Sequence, residues 1–400
     1  MPVSAIATGA AQRGVRRLLS SDHAMTIYLD HNATTPVASG VLDAMLPFLR
    51  EEFGNPSSSH ALGRRARDAI ENARAQVAAL IGARPDEIVF TGGGTEASNM
   101  AIRGTMLANA DKRTLVTSTI EHPATDEPCE WLARQGYTVH RIGARPDGRI
   151  DMAEARRLIG KDVGLVTLIH AQNETGVLQP VSEIAALARE HGAPLHIDAA
   201  QSVGKIAIDV EALGVDLLSI AGHKLYAPKG VGALYVRRGR TLEPVLRGAG
   251  QESGRRPGTE NVPYIVGLGE ACRLAALRLR EQGTQIIAAL AGDLYARLQS
   301  EIPGVELVGH GSERLPNTLN VLFPRVSGRK VLEACPDVVA STGSACHADH
   351  ESASAVLRAC GIAEDKALGA VRLSLGFHTT ANDVKLAATA LTDAWRRVAA

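Results

Sequence analysis

Residues 164–200 read GLVTLIHAQNETGVLQPVSEIAALAREHGAPLHIDAA. An apolar run at 164–170 gives way to a polar turn, then to apolar residues at helical spacing over 181–190, then to a second apolar run at 194–198. Outward from this unit, further apolar runs fall at 88–91, 114–118, 138–142, 217–220 and 232–236, several of them separated by helical patterns. Strand and helix in alternation predict an α/β layered domain whose large, mostly parallel central sheet is flanked by helices. In such sheets, ligands bind beyond the carboxyl ends of the strands, where the connecting loops begin.

After about residue 264 the pattern changes. A long helical run from 265 to about 300 leads to strands near 305–308 and 318–323, then to a strand at 371–375 and a C-terminal helix rich in Ala and Leu. This predicts a smaller α+β lobe over 265–400 beside a large domain over 25–264, whose first residues are free to pack with the small one. There are no repeats and no low-complexity linker, so the two are expected to pack tightly.

Composition bounds the partners. With 43 Lys plus Arg against 43 Asp plus Glu, the 400-residue chain has zero formal net charge, which gives no footprint for nucleic acid or an anionic membrane. No apolar stretch is long enough to span a bilayer. The five cysteines (Cys129, Cys272, Cys335, Cys346 and Cys360) are scattered and show no CxxC spacing, so a reduced, cytoplasmic chain without structural zinc is expected. Residues 1–24 carry Arg13, Arg16 and Arg17 with no acid before Asp22, which has the flavour of a transit peptide. The preferred reading is a disordered tail or misassigned start, because Met25 directly precedes the strand-like stretch 26–29.

Three features at strand ends carry chemistry. Thr91-Gly92-Gly93-Gly94-Thr95-Glu96 follows a strand and opens a helix, where glycines admit an anion to backbone amides and Thr95 adds a hydroxyl. Its spacing is neither GxGxxG nor GxxxxGK[ST], and a single phosphate group fits it better than a nucleotide. Ser219-Ile220-Ala221-Gly222-His223-Lys224 ends another strand with a lysine in an apolar stretch, and desolvation makes such an amine a usable nucleophile towards an aldehyde. Asp198 ends a third strand; alone it reads more readily as a helix N-cap. Together, Asp198, Lys224 and the Gly94-Thr95 turn are what pyridoxal phosphate requires: a carboxylate for the pyridine nitrogen, an amine for the aldehyde and a cradle for the phosphate.

Here the chain resembles the cysteine desulfurases of the aminotransferase class V superfamily, which are fold-type I enzymes dependent on pyridoxal 5'-phosphate. The likeness runs from about Tyr28 to the last helix. It is carried by residues 28–36 (YLDHNATTP), 54–58 (GNPSS), the Gly94-Thr95-Glu96 turn, Glu121-His122, Asn173-Glu174-Thr175-Gly176, residues 198–202 (DAAQS), Gly222-His223-Lys224, residues 256–261 (RPGTEN) and Gly343-Ser344-Ala345-Cys346.

The resemblance implies roles. Lys224 would form the Schiff base, Asp198 would pair with the pyridine nitrogen, and His122 would stack on the ring. Asn173 and Gln201 would contact the phenolic oxygen or its surroundings. Thr95, Ser219 and His223 would hold the phosphate, with Thr259 reaching the phosphate of a neighbouring subunit, which implies a homodimer with shared sites. Arg372 would clamp the substrate carboxylate as a bidentate fork, with Asn32 as a second substrate contact.

Cys346 aligns with the family nucleophile, whereas Cys129, Cys272, Cys335 and Cys360 are expected to be buried and inert. The implied reaction converts L-cysteine to L-alanine. The sulfur is left on Cys346 as a persulfide for a protein acceptor, such as an iron–sulfur scaffold or a thiolation protein. His347 and His350 beside Cys346 depart from the small hydroxyl residues common in desulfurases. Along with Arg256-Pro257-Gly258-Thr259-Glu260-Asn261, they resemble selenocysteine lyases, so release of selenium from L-selenocysteine stands as the alternative. Either they tune the thiol or they occupy a solvated loop. With Asp349 they make a weak metal site lacking a fourth ligand, so no metal is expected. A class V aminotransferase and an inactive scaffold are the remaining alternatives.

Overall fold

The computed structural model describes residues 26–109, 111–343 and 352–400; Cys346, His347, Asp349 and His350, like the tail 1–24, lie outside the described residues. The first strand, β1 (Ile27–Tyr28), belongs to a small sheet, and the next seven build the large one. These are β2 (Ile88–Thr91), β3 (Thr114–Ser118), β4 (Thr138–Ile142), β5 (Val163–Ile169), β6 (Leu195–Asp198), β7 (Leu217–Ala221) and β8 (Gly232–Val236). Their order is β2-β8-β7-β6-β5-β3-β4. The pairs among β3 to β7 are parallel, whereas β8 runs antiparallel to both of its neighbours. Each expected strand of this sheet is present, with ends moved by at most one residue.

The sheet is apolar on both faces because helices cover both. All seven residues of β5 are buried, as expected of a parallel strand between two helical layers. Neighbours along a strand point to opposite faces. Leu165 and Leu217 pack with Ala97, Met100, Ala101 and Leu132 of the helices Gly94–Ala108 and Pro123–Arg134. Val166 and Leu218 point the other way, into a core that includes Ile70 and Val77 of Ala61–Ile81 and Ile184 of Val181–Glu190.

The helical run expected from 265 to about 300 is two helices, Val262–Arg280 and Gly283–Glu301. The break falls at Gln282, whose backbone is left-handed (φ 60°). The cause is that the two halves serve different cores. Ile265, Leu268, Ala271 and Ala275 pack into the core of the large sheet against Ser39–Arg50 and Ala61–Ile81. Ile287, Ala291, Leu294 and Leu298 pack instead against the C-terminal helix Ala381–Ala399. The chain therefore crosses between cores at Gln282, later than the division expected at 264/265.

The second core lies under a three-stranded antiparallel sheet of β9 (Glu306–Leu307), β10 (Thr318–Leu322) and β12 (Ala370–Ser374), in the order β12-β10-β9. β11 (Val338–Val339) pairs in parallel with β1. Asp30 forms a bridge with Ser374, so the N-terminal stretch joins the small sheet. Among the described residues, no helix is long and apolar enough to cross a membrane.

Candidate active site

The parallel strands end along one edge of the large sheet, and the turns after them converge. After β7, the turn Gly222–Lys224 aims Lys224 inward, where its Nζ donates to Asn32 O (2.7 Å) and Ala33 O (2.8 Å). Desolvation, helped by the nearby Arg372 cation, lowers this amine to about 8. After β6, Asp198 is buried and accepts from Ala200 N–H (2.9 Å). After β3, His122 caps the helix Pro123–Arg134, its Nδ1 accepting from Ala124 N–H (3.1 Å). That bond assigns the imidazole proton to Nε2. Burial pushes Asp198 up and His122 down, each opposed by the charge of the other.

The Gly-rich turn after β2 supplies the far end. Gly93 adopts φ +148° with nothing near its missing side chain, and the helix Gly94–Ala108 begins directly after it. Thr95 is exposed at the first turn of this helix, where N–H groups lack partners within the helix. His223 lies opposite, its Nδ1 3.2 Å from Thr34 Oγ1, and burial beside Lys224 lowers it to about 4. Thr95 and His223 also border a second cavity of about 910 Å³, which carries the basic side chains of Arg103, Lys229, Arg255 and Arg256.

A cavity of about 850 Å³ gathers Lys224, Asp198, His122, Thr95 and His223 with Asn173, Gln201 and Arg372. Arg372 comes from β12, where Nη2 donates to Asp30 Oδ1 (2.8 Å) and Nη1 to Asn173 O (3.2 Å). Its buried Nε has no partner among the described residues, so part of the expected fork is already engaged with protein. Asn32 reaches the cavity differently from the expected substrate contact. Its side-chain Nδ2 donates to Thr318 Oγ1 and Asn173 O, and its Oδ1 accepts from Lys205 and Asn317. With both ends of the amide filled, Asn32 is a fastener between the two sheets.

Two expected residues lie elsewhere. Ser219 is fully buried, with its Oγ 2.9 Å from His196 Nε2 and 3.1 Å from Ser98 Oγ, and it lines neither cavity. The expectation that Ser219 holds phosphate is therefore corrected. It lies mid-strand on the face packed against the helix Gly94–Ala108, and its hydroxyl is satisfied there. The residue of β7 that does reach the cavity is Ala221. Thr259 is exposed in the loop after Gly258 (φ +109°) and borders neither cavity.

Three ionisable groups had no assigned role. Glu121 is bonded through its carboxyl to Ser118 Oγ and pushed by burial to about 8, leaving Oε2 without a partner. Glu174 is pushed by burial to about 7. Lys205 is buried against Gln201 and Asn32. Glu121 and Glu174 sit within quoted motifs, which was the signal available. The four described cysteines are buried, and burial raises all their thiols, Cys335 and Cys360 to about 11. Among the described residues, no three His, Cys, Asp or Glu side chains gather in metal-binding geometry.

The donor set fits pyridoxal phosphate on its own terms. A desolvated amine, a buried carboxylate, a neutral imidazole and a helix N-terminus share one cavity within the usual size range of cofactor sites.

Comparison with known proteins gives a consistent result. Residues 27–386 match the family described as Aminotransferase class-V. The chain is 42% identical over 361 residues to Cysteine desulfurase IscS of Dictyoglomus turgidum, covering 90% of this chain and 91% of that one. A solved NifS-like protein superposes with a TM-score of 0.86 at 34% identity, covering 92% of this chain and 99% of its own. SspA in complex with cysteine superposes with a TM-score of 0.77 at 37% identity, covering 88% and 99%.

Proposed function

The chain belongs to the aminotransferase class V family, and from that premise we propose that it is a pyridoxal-phosphate-dependent cysteine desulfurase, converting L-cysteine to L-alanine. The observation that carries the reading is the desolvated Lys224 amine sharing one cavity with the buried Asp198 carboxylate. The relatives' names support a desulfurase and lend nothing to the selenocysteine-lyase alternative.

The protein's part of the reaction follows from its side chains. Lys224 Nζ, lowered to about 8 so that a usable fraction is neutral at physiological pH, would carry the cofactor and later take the proton from the substrate Cα. When bound, pyridoxal phosphate supplies the electron sink for the charge left on that carbon. Asp198 would keep the pyridine nitrogen protonated, His122 would present its Nε2–H from the wall of the cavity, and Asn173 would contact the ring's phenolic oxygen. Thr95, His223 and the first turn of Gly94–Ala108 hold the phosphate. Arg372 receives the substrate carboxylate on the edge that Asp30 and Asn173 leave free. The thiolate of Cys346 would attack the substrate sulfur and break its bond to Cβ. The bonding pair would stay with the carbon skeleton, which takes up protons to become alanine, and the persulfide left on Cys346 would pass its outer sulfur to a protein acceptor. The active form is a homodimer in which Thr259 serves the partner's phosphate site, and the unpaired cysteines suit a reducing cytoplasm.

The test is alanine release from L-cysteine and from L-selenocysteine by the cofactor-loaded wild type and Cys346→Ala, with Lys224→Ala as the unloaded control. The reading expects wild-type turnover of cysteine that Cys346→Ala abolishes, and a colourless Lys224→Ala protein. Turnover of selenocysteine alone would overturn it in favour of the lyase.

A further inference from the structure

Lys205 follows Gln201 by four residues, across turns closed by Val203 N–H on Ala199 O (3.0 Å) and Lys205 N–H on Ser202 O (3.0 Å). Its stem is covered and its Nζ is buried. Neither of its partners is charged: they are the amide oxygens of Asn32 and Gln201, each 2.7 Å away. A lysine head offers donors, so both amides must turn their oxygens towards it. The Nε2 of Gln201 therefore faces away and donates to Asn32 O (3.0 Å), the same carbonyl that receives Lys224 Nζ at 2.7 Å. Asn32 is oriented by the same donor, its Nδ2 turned to Asn173 O and Thr318 Oγ1.

We propose that Lys205 is a positioning residue: it locks the Gln201 amide with its N–H₂ group towards Lys224, and so presents a fixed donor to the ring oxygen beside the cofactor's aldehyde. This rests on the cofactor reading above. An amide alone has no such preference, because its two ends are nearly the same size and a rotation exchanges donor for acceptor. Burial, together with the Lys224 and Arg372 cations, holds Lys205 well below the ordinary lysine range.

The experiment compares wild type, Lys205→Met, Gln201→Met and the double variant, each loaded with pyridoxal phosphate. The Lys224-linked chromophore is titrated by absorbance, and kcat and KM for cysteine are measured alongside melting temperature. Lys205→Met is expected to raise the chromophore's apparent pKa by about one unit, because the ring oxygenate loses a hydrogen-bond donor. It is also expected to lower kcat roughly 10- to 100-fold with little change in KM. Gln201→Met should do the same, and the double variant should add at most a few-fold. Should Lys205→Met fail to fold, the titration is read on Lys205→Gln, which keeps an N–H₂ group on a shorter stem and is expected to shift less. A lowered melting temperature with an unshifted chromophore would overturn the proposal, as would full additivity in the double variant. A wild type that forms no chromophore with Lys224 would bring down the cofactor reading itself, and this inference with it.

Discussion

The two ends of the cavity are built on opposite plans. Around Thr95 and His223 the walls are turn backbone and partly exposed side chains. Around Asp198, His122 and Glu121 the walls are ionisable groups already bonded to the protein: the buried Asp198 to Ala200 N–H, the exposed His122 to Ala124 N–H and the half-buried Glu121 to Ser118. Water stabilises an empty anion cradle, so the first end can stand open at little cost. Desolvation drives each group at the second end towards its neutral form, raising Asp198 and Glu121 and lowering His122. The lesson is that one charge altered at the buried end is felt far more than one hydrogen bond lost at the open end.

That contrast can be broken most directly at Asp198. Asp198→Asn is expected to lower kcat on the order of a few hundredfold or more, as for removal of one member of a buried charged pair. Steady-state kinetics of the loaded variant measure it, and an effect below tenfold would erase the contrast. Lys224 sharpens it through pH. The neutral amine is the reactive form, and its value lies near 8 instead of the ordinary 10.5. Cofactor capture by the apoprotein should therefore slow about tenfold per pH unit below 8 and level off above it. Stopped-flow absorbance between pH 6 and 10 reads this directly, and a rate still climbing beyond pH 10 would mean an undisturbed lysine.

At the open end, Thr95→Val should weaken cofactor binding only about tenfold, the scale of one hydrogen bond to a charged group. A loss as large as that of Asp198→Asn would refute the comparison. The smallest effect is expected behind the cradle. Ser98→Ala removes one partner of Ser219 in the buried chain Ser98–Ser219–His196–Thr167. It should cost about 1 kcal/mol of stability and a few-fold in cofactor affinity. Denaturant melts and equilibrium titration with pyridoxal phosphate check both.

What could be read from the chain alone followed from position. Lys224, Asp198 and Thr95 sit where strands of the large sheet end, so locating the strands located them, whereas His122 was named only by the resemblance. Ser219 was misjudged because every residue of β7 is buried. With both faces apolar, the sequence has no polar alternation to say which way a serine points. Lys205 was passed over because it stands in irregular turns and one of its two partners, Asn32, is 173 residues away, which no periodicity reports. The two-residue pair of β1 and β11 is too short to leave a pattern, and the break at Gln282 is invisible to helical spacing because both halves are amphipathic in their own right. The separation between 264 and the crossing at Gln282 is of the same kind: partners outside the helix decide which core it joins.

Asn32 also bears on how the protein is made. Its backbone N–H donates to Ser374 Oγ (2.9 Å), 342 residues downstream, while its carbonyl holds Gln201 and Lys224 and its side chain meets Thr318 and Asn317. A residue is thus fastened by one that follows it 342 positions later in the chain. Closure of so long a loop is slow and comes late in folding. The large sheet can assemble as it is synthesised, but the cavity is completed only when β12 has emerged, so cofactor retention reports on a chain made at least through β12.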